Sequence, residues 1–86
     1  MKVHGIGDLT KKDVPLYYRN EYEGMGDVEI IGERMLIPLN FSVEIKPTGE
    51  RVVNVKLCGK IDYPLLPVLK ALKEHIHAME KEGLLR

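Results

Sequence analysis

Three histidines, one cysteine and two Gly-x-Gly-Asp segments are where this 86-residue chain could hold a metal, a nucleophile or an anion. His75 and His77 stand two apart in a stretch of helical periodicity, so their side chains leave the axis roughly 200° apart and cannot share one ion. His4 could reach them only through tertiary contact. Neither a metal site nor a catalytic histidine is expected, and no cofactor motif occurs. Cys58 has Lys56 and Lys60 two residues to either side, and two ammonium groups beside a thiol favour the nucleophilic thiolate. It has no Cys-x-x-Cys partner, and a histidine base would have to come from the helix across the sheet, so Cys58 reads as a small strand residue. Gly5-Ile6-Gly7-Asp8 and Gly24-Met25-Gly26-Asp27 could present backbone N–H groups to an anion. Neither continues into a phosphate loop before a helix, and Asp8 and Asp27 would repel phosphate, so both are expected to be ordinary turns.

The elements that position these residues follow from hydrophobic spacing. Met35, Ile37, Leu39, Phe41, Val43 and Ile45 alternate with polar or small neighbours, which is a strand with one buried face. Val53, Val55, Leu57 and Ile61 repeat the pattern, giving a hairpin of 35–46 and 50–61. Pro47 suits the first turn position and Gly49 the left-handed one, which makes Pro47-Thr48-Gly49 a three-residue loop and sets Lys46 against Glu50. Val43 then faces Val53, Phe41 faces Val55 and Leu39 faces Leu57. A two-residue loop would set these hydrophobes against Asn54 and Lys56, so pattern and turn agree on the longer one. Pro38 has no N–H to give at its ladder position opposite Cys58, which predicts a bulge or an end of pairing near Pro38 and Gly59.

Upstream, 27–31 reads as a strand joined to the hairpin by Gly32-Glu33-Arg34. Residues 14–23 are ambiguous between strand and helix and lean to strand on their tyrosines. Residues 2–6 form a short strand, followed by a polar loop through Lys11, Lys12 and Asp13. Leu65, Leu69, Leu72, Ile76 and Met79 recur at spacings of three and four, so 65–82 is an amphipathic helix flanked by Val68, Ala71 and Ala78. Asp62 is the candidate cap, and Gly83 allows a Schellman-type close that returns Leu84 to Met79. The fold class is therefore α+β: an antiparallel meander of four to five strands, its odd-numbered hairpin face packed on one C-terminal helix. Residues 1–86 suffice for a single domain.

The face turned away from the helix carries Asn40, Ser42, Asn54, Lys56 and Cys58, with Ser42 opposite Asn54 and Asn40 opposite Lys56. This compact polar patch is the candidate binding site. Thirteen basic and thirteen acidic side chains balance, which removes the excess positive charge that nucleic-acid or membrane binding needs. The halves differ, from −3 over residues 1–45 to +3 over 46–86. A single cysteine and an N-terminus without an apolar run point to the cytoplasm, and no stretch is long enough for a membrane span. A chain with no Gln, three Asn and one Ser leans towards a thermophilic source. The expected function is a non-enzymatic interaction module, a homo-oligomer (a homodimer first) or a subunit binding another protein through the outer face or a sheet edge. The alternative is a small-molecule or catalytic pocket near Tyr17, Tyr18 and Tyr22. A third reading, nucleic-acid binding, lacks an aromatic platform on the outer face.

Overall fold

The protein is described by a computed structural model at residues 1–13 and 17–85. It comprises β1 (Lys2–Lys11), β2 (Arg19–Ile30), β3 (Glu33–Ile45), β4 (Arg51–Leu57) and α1 (Leu65–Lys81). The strands form one antiparallel sheet in the order β1-β2-β3-β4, with the helix following, so the α+β meander has four strands.

The β3–β4 hairpin adopts the register set by its turn. The Lys46 N–H donates to the Glu50 carbonyl at 2.8 Å, the Gly49 N–H donates to the Lys46 carbonyl at 2.8 Å, and Gly49 has φ of 88°. Val43 pairs with Val53, Phe41 with Val55, and Leu39 with Leu57. The ladder stops there: the Cys58 N–H donates to the Pro38 carbonyl at 2.8 Å, and Pro38 has no N–H to return. Consequently β4 ends at Leu57 and does not reach Ile61.

The first two strands are longer than their hydrophobic spacing suggests. In β1, shifts between Val3 and Gly5 and between Gly7 and Thr10 insert extra residues, so Val3, Ile6 and Leu9 all pack on the core at a spacing of three. A period of two is lost wherever a strand bulges. Asp8, at φ of 49°, lies in the second irregularity. The two Gly-x-Gly-Asp segments are not turns but strand: Gly5 pairs with Asp27, Ile6 with Gly26 and Gly7 with Met25. Their glycines make room. A Cβ on Gly24 would lie 2.9 Å from Ile6 Cγ2 and 3.0 Å from the Gly7 carbonyl oxygen; one on Gly26 would lie 2.8 Å from Leu39 Cδ2 and 3.6 Å from Leu72 Cδ2. Of the ambiguous 14–23 segment, Arg19 onwards is strand, while Val14, Pro15 and Leu16 fall outside the described residues.

The helix covers the face lined by Ile37, Leu39, Phe41, Val43 and Val53, all buried. Its own buried positions are Val68, Leu72 and Ile76, so the stripe is rotated from the expected one and Leu65 is left half exposed. The helix lies across the sheet against β4 and β1, the two edge strands, and that placement selects Val68 over Leu65. Each fully buried side chain of this size stabilises the fold by about 1.5–3 kcal/mol. Tyr22 stacks on Phe41 with centroids 4.9 Å apart and ring planes 17° from parallel, and Arg51 reaches up to pair with Glu80. The helix closes as its sequence implies: the Leu84 N–H donates to the Met79 carbonyl at 2.9 Å and the Gly83 N–H to that of Glu80 at 3.1 Å, with Gly83 at φ of 74°. At the other end Pro64, not Asp62, is the N-cap, and no side chain caps it.

β2 and β3 are joined by a two-residue turn of Ile31 and Gly32 rather than by 32–34, since Ile30 already pairs with Glu33. Both turn residues have positive φ, 50° and 76°, the conformation of a tight hairpin turn that favours Asn-Gly. A β-branched residue held there costs about 1–2 kcal/mol, and Ile31 is 87% exposed, so it has little packing to offset the strain. Ile31→Asn should therefore raise the unfolding free energy by about 1 kcal/mol. A urea midpoint that fails to rise in the variant would contradict this account of the turn.

Candidate functional site

Cross-strand partners share a face of the sheet, so the pairing places every outer side chain. One row runs across the four strands as Thr10, Glu23, Asn40 and Lys56. The next comprises Glu21, Ser42 and Asn54, with Lys12 beside it through a 2.8 Å bond from its N–H to the Glu21 carbonyl. Beyond that lie Arg19, Glu44 and Val52. No helix crosses this side among the described residues.

Two adjoining concavities lie on this outer face. The first, of about 240 Å³, gathers Asn40, Ser42, Asn54 and Lys56, four of the five expected site residues, and adds Lys12, Arg19 and Glu21 on its rim. Ser42 lies at its base and is only 5% exposed, the single buried polar residue among those described. Arg19 Nε stands 3.6 Å from Glu21 Oε2, which leaves Lys12 and Lys56 as the further positive groups of the rim. The second concavity, of about 420 Å³, holds Asp8, Thr10, Glu23, Met25, Pro38 and Cys58, and shares Asn40 with the first. Cys58 thus belongs to the acidic recess rather than to the Ser42 patch. It is exposed and has left the strand, because pairing ends one residue earlier.

Arg19, Glu21, Glu23, Lys12 and Asp8 are not among the expected site residues. The signal for the β2 members is present: even positions from Tyr22 to Ile30 face the core, and odd ones carry Glu21, Glu23, Asp27 and Glu29. Gly24 and Gly26 interrupt the apolar half of that alternation and hide it. Asp8 and Lys12 depend on the bulges in β1, which no simple period reveals.

The tyrosines divide between two places. Tyr22 is buried against Phe41, where burial pushes its phenol pKa up. Tyr17 and Tyr18 meet edge to face, centroids 5.9 Å apart, in a separate recess of about 530 Å³ with Ile45, Lys46 and Pro47. The Ile45 N–H donates to the Tyr18 carbonyl at 2.8 Å and fixes that backbone to β3. Among the described residues, no three His, Cys, Asp or Glu side chains come together as metal ligands, and no helix is long and apolar enough to cross a membrane.

The sequence pattern of the BB_0187 family matches residues 1–81. The chain belongs to that family. Comparison with curated proteins and with solved structures gives no match. The matched span takes in all four strands and the whole of α1, so the family pattern includes both the covered and the open side of the sheet.

At the β2–β3 tip, the outer face is ordered by two polar pairs. Arg34 donates to both Asp27 carboxylate oxygens, at 3.3 and 2.5 Å, and His4 Nε2 bonds Glu29 Oε1 at 2.9 Å. The hydrogen bond from Arg34 holds the Asp27 carboxyl below its ordinary pKa, and that from His4 does the same for Glu29. A depressed carboxylate pKa contributes stability above the unfolded-state value, and this is lost as pH falls through the folded-state value. Arg34→Met should raise the Asp27 pKa to the usual carboxylate range. A side-chain NMR titration reads this directly, and an unmoved Asp27 midpoint would show that the bidentate pair is not formed in solution.

Proposed function

We propose that this protein is a small interaction module, working as a homo-oligomer or as a partner-binding subunit, with the outer face of the sheet as its contact surface. The observation that carries this reading is the asymmetry of the sheet. One side is sealed by α1, while the other presents two contiguous concavities with a nearly buried serine at the base of one of them. Antiparallel sheets commonly leave one side to water, but a wet side needs neither exposed Leu36 nor Met25 and Pro38 beside it.

Size supports the same reading. The chain has an accessible surface of 5892 Å² for 9.8 kDa, against about 5,200 Å² for a compact monomer of that mass. A domain with this much surface for its core gains from covering some of it. Specific interfaces hide about 800 Å² per partner, and a molecule of 40 × 23 × 21 Å offers that on a broad side.

The recess of Tyr17 and Tyr18 favours a second reading, a small-molecule site, because its volume falls in the usual ligand range of about 300–1,000 Å³ and its aromatic edge pair stands beside Pro47. Native mass spectrometry of the protein purified without denaturation distinguishes the two: a bound small molecule favours the recess. For the leading reading, light scattering coupled to gel filtration should give a mass above that of one chain at high micromolar concentration. A single-chain mass, with no partner retained from the source cell, would count against it.

A further inference from the structure

We infer that the outer face binds a second copy of this chain, as a two-fold sandwich whose axis runs along β3. The inference rests on the proposed role of this face and names the partner. It follows from how charge is distributed about β3. Between Arg34 and Glu44, the outer side of β3 presents Leu36, Pro38, Asn40 and Ser42, with no charged side chain among them. A strand lined in this way lets another sheet approach to the about 10 Å spacing of packed sheets. On one flank, β2 presents Glu21 and Glu23; on the other, β4 presents Lys56 and no acid.

A rotation of 180° about β3 lays the β2 flank of one copy over the β4 flank of the other. Glu23 then faces Lys56 of the second copy and Lys56 faces its Glu23, while Asn40 and Ser42 meet their own equivalents on the axis. An isologous contact must be self-complementary in this way, since each residue pair occurs twice. Both halves of the requirement are present in a single row, where Glu23, Asn40 and Lys56 lie on neighbouring strands. The acidic recess of Asp8 and Glu23 receives the basic rim of Lys56, and the central carboxamides can bond each other. Glu44, which would meet its own copy, is neutralised by Arg19 of the same row. The chain's neutral sum with unlike halves fits the same arrangement, because each copy contributes both signs.

The test is a charge swap at two exposed positions that the core does not use. Glu23→Lys, Lys56→Glu and the double variant are prepared, and self-association is measured by sedimentation equilibrium at low and high salt, with circular dichroism as the control for folding. The expected result is a wild-type dimer that weakens with salt, each single variant dissociating at least tenfold more readily, and the double variant recovering. A dimer unchanged in both single variants overturns this face as the contact while leaving self-association standing. A wild-type chain that stays monomeric at high micromolar concentration overturns the inference together with the homo-oligomer reading beneath it.

Discussion

The structure depends on keeping the odd-numbered side chains of β3 under α1. Leu39, Phe41 and Val43 are buried there with Leu72 and Ile76 above the same sheet, and a slip of one residue would turn that whole set to solvent. Everything else follows that register. Tyr22 is stacked on Phe41 because β2 pairs with β3 in step, and Gly26 lacks a side chain because Leu39 and Leu72 occupy the space a Cβ would need. Arg51 is carried to the edge of the buried face, where Glu80 of the helix meets it.

The parts legible in the sequence are those where one local rule acts alone. The Pro-Thr-Gly loop sets a register that alternating hydrophobes also demand, so the β3–β4 pairing and its end at Pro38 could both be derived. Gly83 closes the helix for a reason internal to its own backbone. The rest is obscured where tertiary demands override a local period. β1 packs Val3, Ile6 and Leu9 by bulging, which turns a period of two into three and resembles a short strand with a loop. β2 replaces apolar side chains by glycine where β1 and α1 come close, so its central stretch resembles a turn. The helix stripe is displaced by one position because its crossing of the sheet, not its own composition, decides which side is inside.

The candidate site shows the same division. Asn40, Ser42, Asn54 and Lys56 lie on the well-determined hairpin and come together as its register requires. Their charged surroundings come from β1 and β2, whose registers depend on bulges and glycines, so Arg19, Glu21, Glu23 and Asp8 are out of reach of a periodicity argument. The face that results has its covered and open sides decided by one parity, and its function is a consequence of what that parity leaves in solvent.

Methyl–methyl nuclear Overhauser contacts in a Leu- and Ile-labelled sample test that parity most directly. The account predicts cross-peaks joining Leu39 to Leu72, and none from Leu36 to any methyl of α1. Contacts between Leu36 and the helix, with Leu39 free of them, would contradict it.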